Sequence, residues 1–175
     1  MRAARSVAWV PGGTAGEVVH ALKYDGWSRV AIEMAERLAR LHWPVDVVEE
    51  RAALIPVPLG GGRMRERGYN QSERIAAALA PLWKVPVWGE VIERTRATVS
   101  QTELTPDARK RNVAGAFSVV VERQQQIRGA HLVIIDDVMT TAATLNACAA
   151  ALYEAGARTI SYVTFGRARA AGDHR

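Results

Sequence analysis

Residues 131–145, HLVIIDDVMTTAATL, constrain the fold of this chain more than any other stretch. Apolar residues 132–135 run straight into two adjacent carboxylates, Asp136 and Asp137. The run reads as a strand. The segment that follows, TTAATLNACAAALYEAG (140–156), reads as a helix closing at Gly156, because glycine suits a helix C-terminus. A strand feeding into a helix is the unit from which α/β domains with largely parallel sheets are built.

The rest of the chain alternates in the same way. RSVAWV (5–10) predicts a short strand, and GEVVHALKYDG (16–26) a helix with Val18, Val19 and Leu22 on one side. Residues 28–41 predict a second, amphipathic helix with Ser28 at its N-cap. ALIPVP (53–58) predicts a buried strand, GGGRMRERGYNQ (60–71) a glycine- and arginine-rich loop, and 72–82 a helix. One or two short β segments are expected in 85–94. A long polar, basic loop spans 95–117, with a short helix from about Thr105 to Asn112. FSVV (117–120) and RTISYVTF (158–165) predict two more strands. At 175 residues, without repeats or an evident linker, the chain fits one domain.

Composition excludes some classes. No apolar run is long enough to cross a bilayer, and MRAARSVAWVPGG lacks the sustained apolar segment of a signal peptide, so a cytoplasmic protein is expected. The lone thiol, Cys148, forms neither an internal disulfide nor a structural zinc site, and its apolar helical context predicts burial. His20, His42, His131 and His174 show no metal-ligand spacing. The five tryptophans, Trp9, Trp27, Trp43, Trp83 and Trp88, are scattered, and packing is the expected role of each. A net charge of +5 fits an anionic ligand, either a small polyphosphate or nucleic acid.

The chemistry concentrates at 136–144. In a parallel α/β sheet, ligands bind where strands end and helices begin. A helix beginning near Thr140 presents unpaired N–H groups and a positive dipole end to an anion. The hydroxyls of Thr140, Thr141 and Thr144 surround the same point. Two carboxylates just before it can accept hydrogen bonds from sugar hydroxyls and attract Mg²⁺, directly or through water. A ribose 5-phosphate satisfies both ends. The alternative is a strand ending in two solvated aspartates, with threonines capping a helix.

VIIDDVMTTAAT resembles the phosphoribosyl-pyrophosphate (PRPP) motif of type I phosphoribosyltransferases. HALKYDG, LIPVPLGGGRMRERGYNQSERIAAALA and RTRATVSQTELTPDARKRNVAGAF resemble the ComF branch of that superfamily, in order over residues 5–167. The cysteine-rich, zinc-binding segment with which many ComF proteins begin has no counterpart in these residues. The motif also departs from the usual TTGAT, with Ala142 in the glycine place.

The resemblance implies a type I phosphoribosyltransferase fold, with a mainly parallel sheet flanked by helices, a small hood drawn from residues 1–45 and a flexible loop at 94–112. It implies that Asp136 and Asp137 are catalytic, holding the ribose hydroxyls and the Mg²⁺-bound ligand. Thr140, Thr141, Ala142, Ala143 and Thr144 would hold the 5-phosphate, and Gly60, Gly61, Arg63, Arg65 and Arg67 the pyrophosphate. Arg94, Arg96, Gln101, Arg109 and Arg111 would belong to a loop closing over PRPP, although Arg109 and Arg111 read equally as helix-surface charges. Tyr69 and Asn70 would orient the pyrophosphate loop or touch substrate. Lys23 and Tyr24 read equally as a helix end or a ligand contact. The implied function is transfer of a phosphoribosyl group to a nitrogen nucleophile, with a role in natural competence and DNA uptake. The alternative is a non-catalytic nucleotide- or single-stranded-DNA-binding module acting through competence-machinery proteins. A homodimer is the assembly common in the superfamily.

Overall fold

The computed structural model describes residues 1–10, 13–24, 28–95 and 115–168. The chain runs β1 (Ala4–Val10), α1 (Gly13–Tyr24), α2 (Ser28–Ala39), α3 (Val45–Glu50), β2 (Arg51–Pro56), α4 (Gly61–Arg67) and α5 (Gln71–Trp83). Then follow β3 (Ile92–Arg94), β4 (Phe117–Val119), a 3₁₀ turn at Val121–Arg123 leading into α6 (Gln124–Ile127), β5 (His131–Met139), α7 (Ala143–Glu154) and β6 (Thr159–Ala168).

Strands β1, β6, β5 and β2 form one parallel sheet in that order. Both faces of β5 are covered, which explains its unbroken apolar run. Leu132 and Ile134 lie in one core with Leu145, Cys148 and Leu152 of α7. Val133 and Ile135 lie in a second core with Met34 and Leu38 of α2 and Ile75 and Leu79 of α5. The buried positions of α2, α5 and α7 recur every three or four residues, as an amphipathic helix requires. On β6, a side chain at Gly166 would come within 3.1 Å of both Val10 and Val138, so glycine lets these valines close over the strand.

Several boundaries differ from the sequence expectation. The 60–71 loop is largely helical. Gly60 caps α4, and Gly68, at φ +75°, ends it where a side chain would be strained. Strand β5 continues through both aspartates to Met139, and α7 begins at Ala143 rather than near Thr140. Helices α3 and α6, only six and four residues long, lie below the length at which periodicity is readable. Within residues 1–45, where the resemblance implies a hood, residues 4–10 form an edge strand of the central sheet. A two-stranded antiparallel sheet, β3–β4, stands apart from the main sheet. The expected helix at 105–112 and the rest of 96–114 lie outside the described residues. Among the described residues, no helix is long and apolar enough to cross a membrane.

At the amino end of β5, His131 is buried with Nε2 3.0 Å from Ser161 Oγ. Burial pushes its pKa below the ordinary value, with nearby charges making smaller and opposing contributions. The unfolded imidazole titrates near 6.5. The stability gained by keeping His131 neutral is therefore present above about pH 6.5 and is lost as pH falls from there through the depressed folded value. Urea unfolding from pH 8 to pH 5 is expected to show this loss in the wild type and a flatter profile in His131→Gln.

Candidate functional site

A row of polar side chains crosses three strands of the sheet near their carboxyl ends. Ser6 of β1, Thr164 of β6 and Asp136 of β5 stand in register, and Ser6 Oγ lies 2.7 Å from Thr164 Oγ1.

Asp136 and Asp137 are not equivalent. Asp136 is half-buried, and its Oδ1 accepts from Ser72 Oγ and from the Asp137 N–H, each at 2.9 Å. Asp137 is buried, and its Oδ1 accepts from the Val138 N–H at 2.7 Å. Each carboxylate is thus oriented by a donor in the chain just after it, and Asp136 by α5 as well. The two side chains leave an extended strand in opposite directions, which relieves their repulsion.

Ser72 reaches Asp136 because α5 starts in a fixed place. Asn70, buried, caps α5 by accepting from the Ser72 N–H at 3.1 Å, while its Nδ2 donates to the Val57 carbonyl at 3.0 Å. The Val57 N–H in turn donates to the Ile135 carbonyl at 2.9 Å. The Tyr69 hydroxyl donates to the Leu22 carbonyl of α1. Tyr69 therefore ties the segment between α4 and α5 to α1, and Asn70 ties it to the end of β2.

The turn after β5 leads into α7. Thr140 is exposed, and Thr141 and Thr144 are half-buried. Ala142 caps α7 at φ +57°, ψ 10°, with no capping side chain; the Thr141 hydroxyl accepts from the Ala143 N–H at 3.4 Å. The first turn of α7 therefore faces the turn with its dipole end unsealed by the cap residue. Ala142 occupies a left-handed conformation that suits glycine, and its cost is about 1 to 2 kcal/mol for an L-residue.

On the other side of β5 lies the basic part. A side chain at Gly60 would sit 3.7 Å from the Arg94 guanidinium, so this cation lies along the backbone where β2 leads into α4. Burial depresses the Arg94 pKa, and Arg63 adds to the effect, while Asp136 opposes it. Gly60, Arg63, Arg94 and Asp136 thus share one electrostatic neighbourhood. The helical form of α4 divides the three expected arginines. Arg63 and Arg67, four residues apart and half-buried, fall on one face, whereas Arg65 is exposed and lies against Gly61. Arg94, expected in the flexible loop, ends strand β3 and lies over the Phe117 ring at 5.3 Å. Arg96, Gln101, Arg109 and Arg111 lie outside the described residues, as do the side chains of Lys23 and Tyr24. Cys148 is buried, as its apolar helical context predicts, and burial first, then Asp136, pushes its thiol well above the ordinary pKa. Ser72 was missed by sequence reasoning; the signal that could have found it was the N-cap pattern of Asn70 before the helix.

Among the described residues, no three histidine, cysteine or acidic side chains gather as a metal cage. Two adjacent carboxylates fit Mg²⁺ held mainly by ligand oxygens and water, since that ion dehydrates reluctantly.

Residues 68–175 match the phosphoribosyl transferase domain family, and the chain belongs to it. It is 36% identical over 151 residues to DNA utilization protein YhgH of Salmonella typhi, covering 82% of this chain and 63% of that protein. Competence protein F of Haemophilus influenzae is 31% identical over 141 residues, 81% of this chain and 57% of its own length. The chain thus spans about three-fifths of the length of these curated relatives. Among solved structures, a Trypanosoma cruzi hypoxanthine phosphoribosyl transferase aligns with 86% of this chain and 65% of its own, at 22% identity and a TM-score of 0.39.

Replacing Ala142 with glycine relieves the left-handed strain but frees the unfolded backbone and removes a methyl that packs against the core. The strain is the larger effect. Ala142→Gly is expected to raise unfolding stability by about 1 kcal/mol, read from the urea midpoint at constant slope.

Proposed function

We propose that this chain binds PRPP with Mg²⁺ and transfers its phosphoribosyl group to a nitrogen nucleophile. The observation that carries this reading is the placement of Asp136 and Asp137 at the end of β5, between the unsealed α7 terminus and the Arg63–Arg94 pair. That order matches the ligand: 5-phosphate on the turn 140–144, ribose hydroxyls on the two carboxylates, pyrophosphate on the basic side. Arg63, Arg67 and Arg94 stabilise the leaving pyrophosphate electrostatically. When bound, Mg²⁺ neutralises charge on the same group. The C1–oxygen bond breaks with its electron pair going to pyrophosphate, the nitrogen–C1 bond forms, and the nucleophile gives its proton to solvent. The loop at 94–112, with Arg94, Arg96, Gln101, Arg109 and Arg111, is the part proposed to cover PRPP and exclude water from the oxocarbenium-like transition state.

The names of its relatives, a DNA utilization protein and a competence protein, support a role connected with competence or the use of DNA. They also favour a second reading, in which the chain binds single-stranded DNA without catalysis and works through protein partners. Salt separates the two. DNA affinity that falls steeply with salt and survives loss of both aspartates belongs to the second reading.

Isothermal titration with PRPP and Mg²⁺ tests the first. Wild type is expected to bind, and Asp136→Asn/Asp137→Asn to bind at least about a hundredfold more weakly, because each carboxylate provides charge-assisted hydrogen bonds. Ser72→Ala, which removes one orienting donor, is expected to weaken binding about tenfold. Folded wild type that binds no PRPP would sink the reading.

A further inference from the structure

Packing is the role expected of every tryptophan in this chain. Trp43 and Trp83 meet that expectation: they are 5% and 7% exposed and stand edge to face at 5.5 Å. Trp88 meets it only in part. It is half-buried, packed against the core shared with α7, and it also lines a cleft on the outer flank of α5. The cleft lies between α5, residues 87–91 and the 3₁₀ turn that leads into α6, and it encloses about 350 Å³. That volume is typical of a small-molecule site.

Its position separates it from the ribose-phosphate site. The Leu54 N–H donates to the Pro86 carbonyl, and the Trp88 N–H donates to the Leu54 carbonyl, each at 2.9 Å. Residues 86–88 therefore run along the outer side of β2, turned away from β5. The residues assigned above to ribose, phosphate and pyrophosphate do not line the cleft. Its wall is held in place by these bonds and by the Val120 N–H, which donates to the Val91 carbonyl at 3.0 Å.

The charges select the ligand. Glu73 and Glu90 face the cleft together with one cation, Arg123. Arg123 Nη2 lies 3.0 Å from Glu90 Oε2, so these two neutralise each other. The Glu73 carboxylate has no hydrogen-bond or ion-pair partner among the described residues. A side chain at Gly89 would lie 3.9 Å from Glu73 Oε1, so this carboxylate leans over bare backbone beside Trp88. In a chain of net charge +5, the cleft is an acidic recess with an aromatic wall. A carboxylate in the first turn of a helix also serves the helix dipole. That role needs neither a cavity nor an indole beside it.

We propose that this cleft is a second ligand site, which takes a small organic cation. An amidinium, guanidinium or ammonium group pairs with the Glu73 carboxylate, and the flat apolar body that carries it lies against Trp88.

Benzamidine, with benzamide as its uncharged counterpart of the same shape, tests this by titrations followed through ¹⁵N amide shifts. Wild type is expected to bind benzamidine about tenfold or more tighter than benzamide, the difference made by hydrogen bonds between charged groups. The shifts are expected to group at 72–77 and 87–91. Glu73 is exposed, so Glu73→Gln leaves the fold intact, and it is expected to lower benzamidine to the affinity of benzamide. Arg123→Gln, which releases Glu90 to the cleft, is expected to tighten benzamidine about threefold. Equal affinities in wild type, a preference that survives Glu73→Gln, or no gain in Arg123→Gln overturns the assignment. Shifts grouped at 136–144 overturn it as well, by placing the cation on the two aspartates.

Discussion

The side chain of Asn70 holds the candidate site in register. Its two hydrogen bonds, to the Val57 carbonyl and from the Ser72 N–H, join the end of β2 to the start of α5. Val57 is itself bonded to Ile135, one residue before the first aspartate. A buried amide that loses either partner costs about as much as the desolvation of that group, so the arrangement is held in one state. Ser72 is aimed at Asp136 as a consequence.

Around this joint, the site separates charge along the carboxyl edge of one sheet. The carboxylates occupy the middle strand, and the cations gather beyond it toward β2. Burial keeps Arg94 at a cost in solvation, which Asp136 partly offsets. Ala142 adds backbone strain in the turn between β5 and α7. Strain and partly desolvated charge are tolerable here because two packed cores, one on each face of β5, supply the stability elsewhere.

Much of the fold was legible without coordinates. The strands at 5–10, 53–58, 117–120, 131–136 and 158–165 all correspond to strands in the structure, with ends shifted by a few residues. The readable signals were long apolar runs and helical periodicity, which act locally. Elements that the sequence reading lost were short ones, such as α3, or ones whose composition imitates a loop. GGGRMRER carries two loop-like glycines in its first turn, yet it folds as a helix because Gly60 and Gly68 bound it in conformations that permit a cap at each end.

The sequence by itself determined the chemistry at 136–144. The order of carboxylates and hydroxyls between a strand and a helix is covalent, so no packing can rearrange it. Tertiary structure decided everything that depends on which strand lies beside which. It brought Ser72, sixty-four residues away, onto Asp136. It placed Arg94 against Gly60 and set Arg65 apart from Arg63 and Arg67. It left Trp9 exposed rather than in the core, because the strand order, which a strand's own residues do not encode, makes β1 an outer strand beside β6.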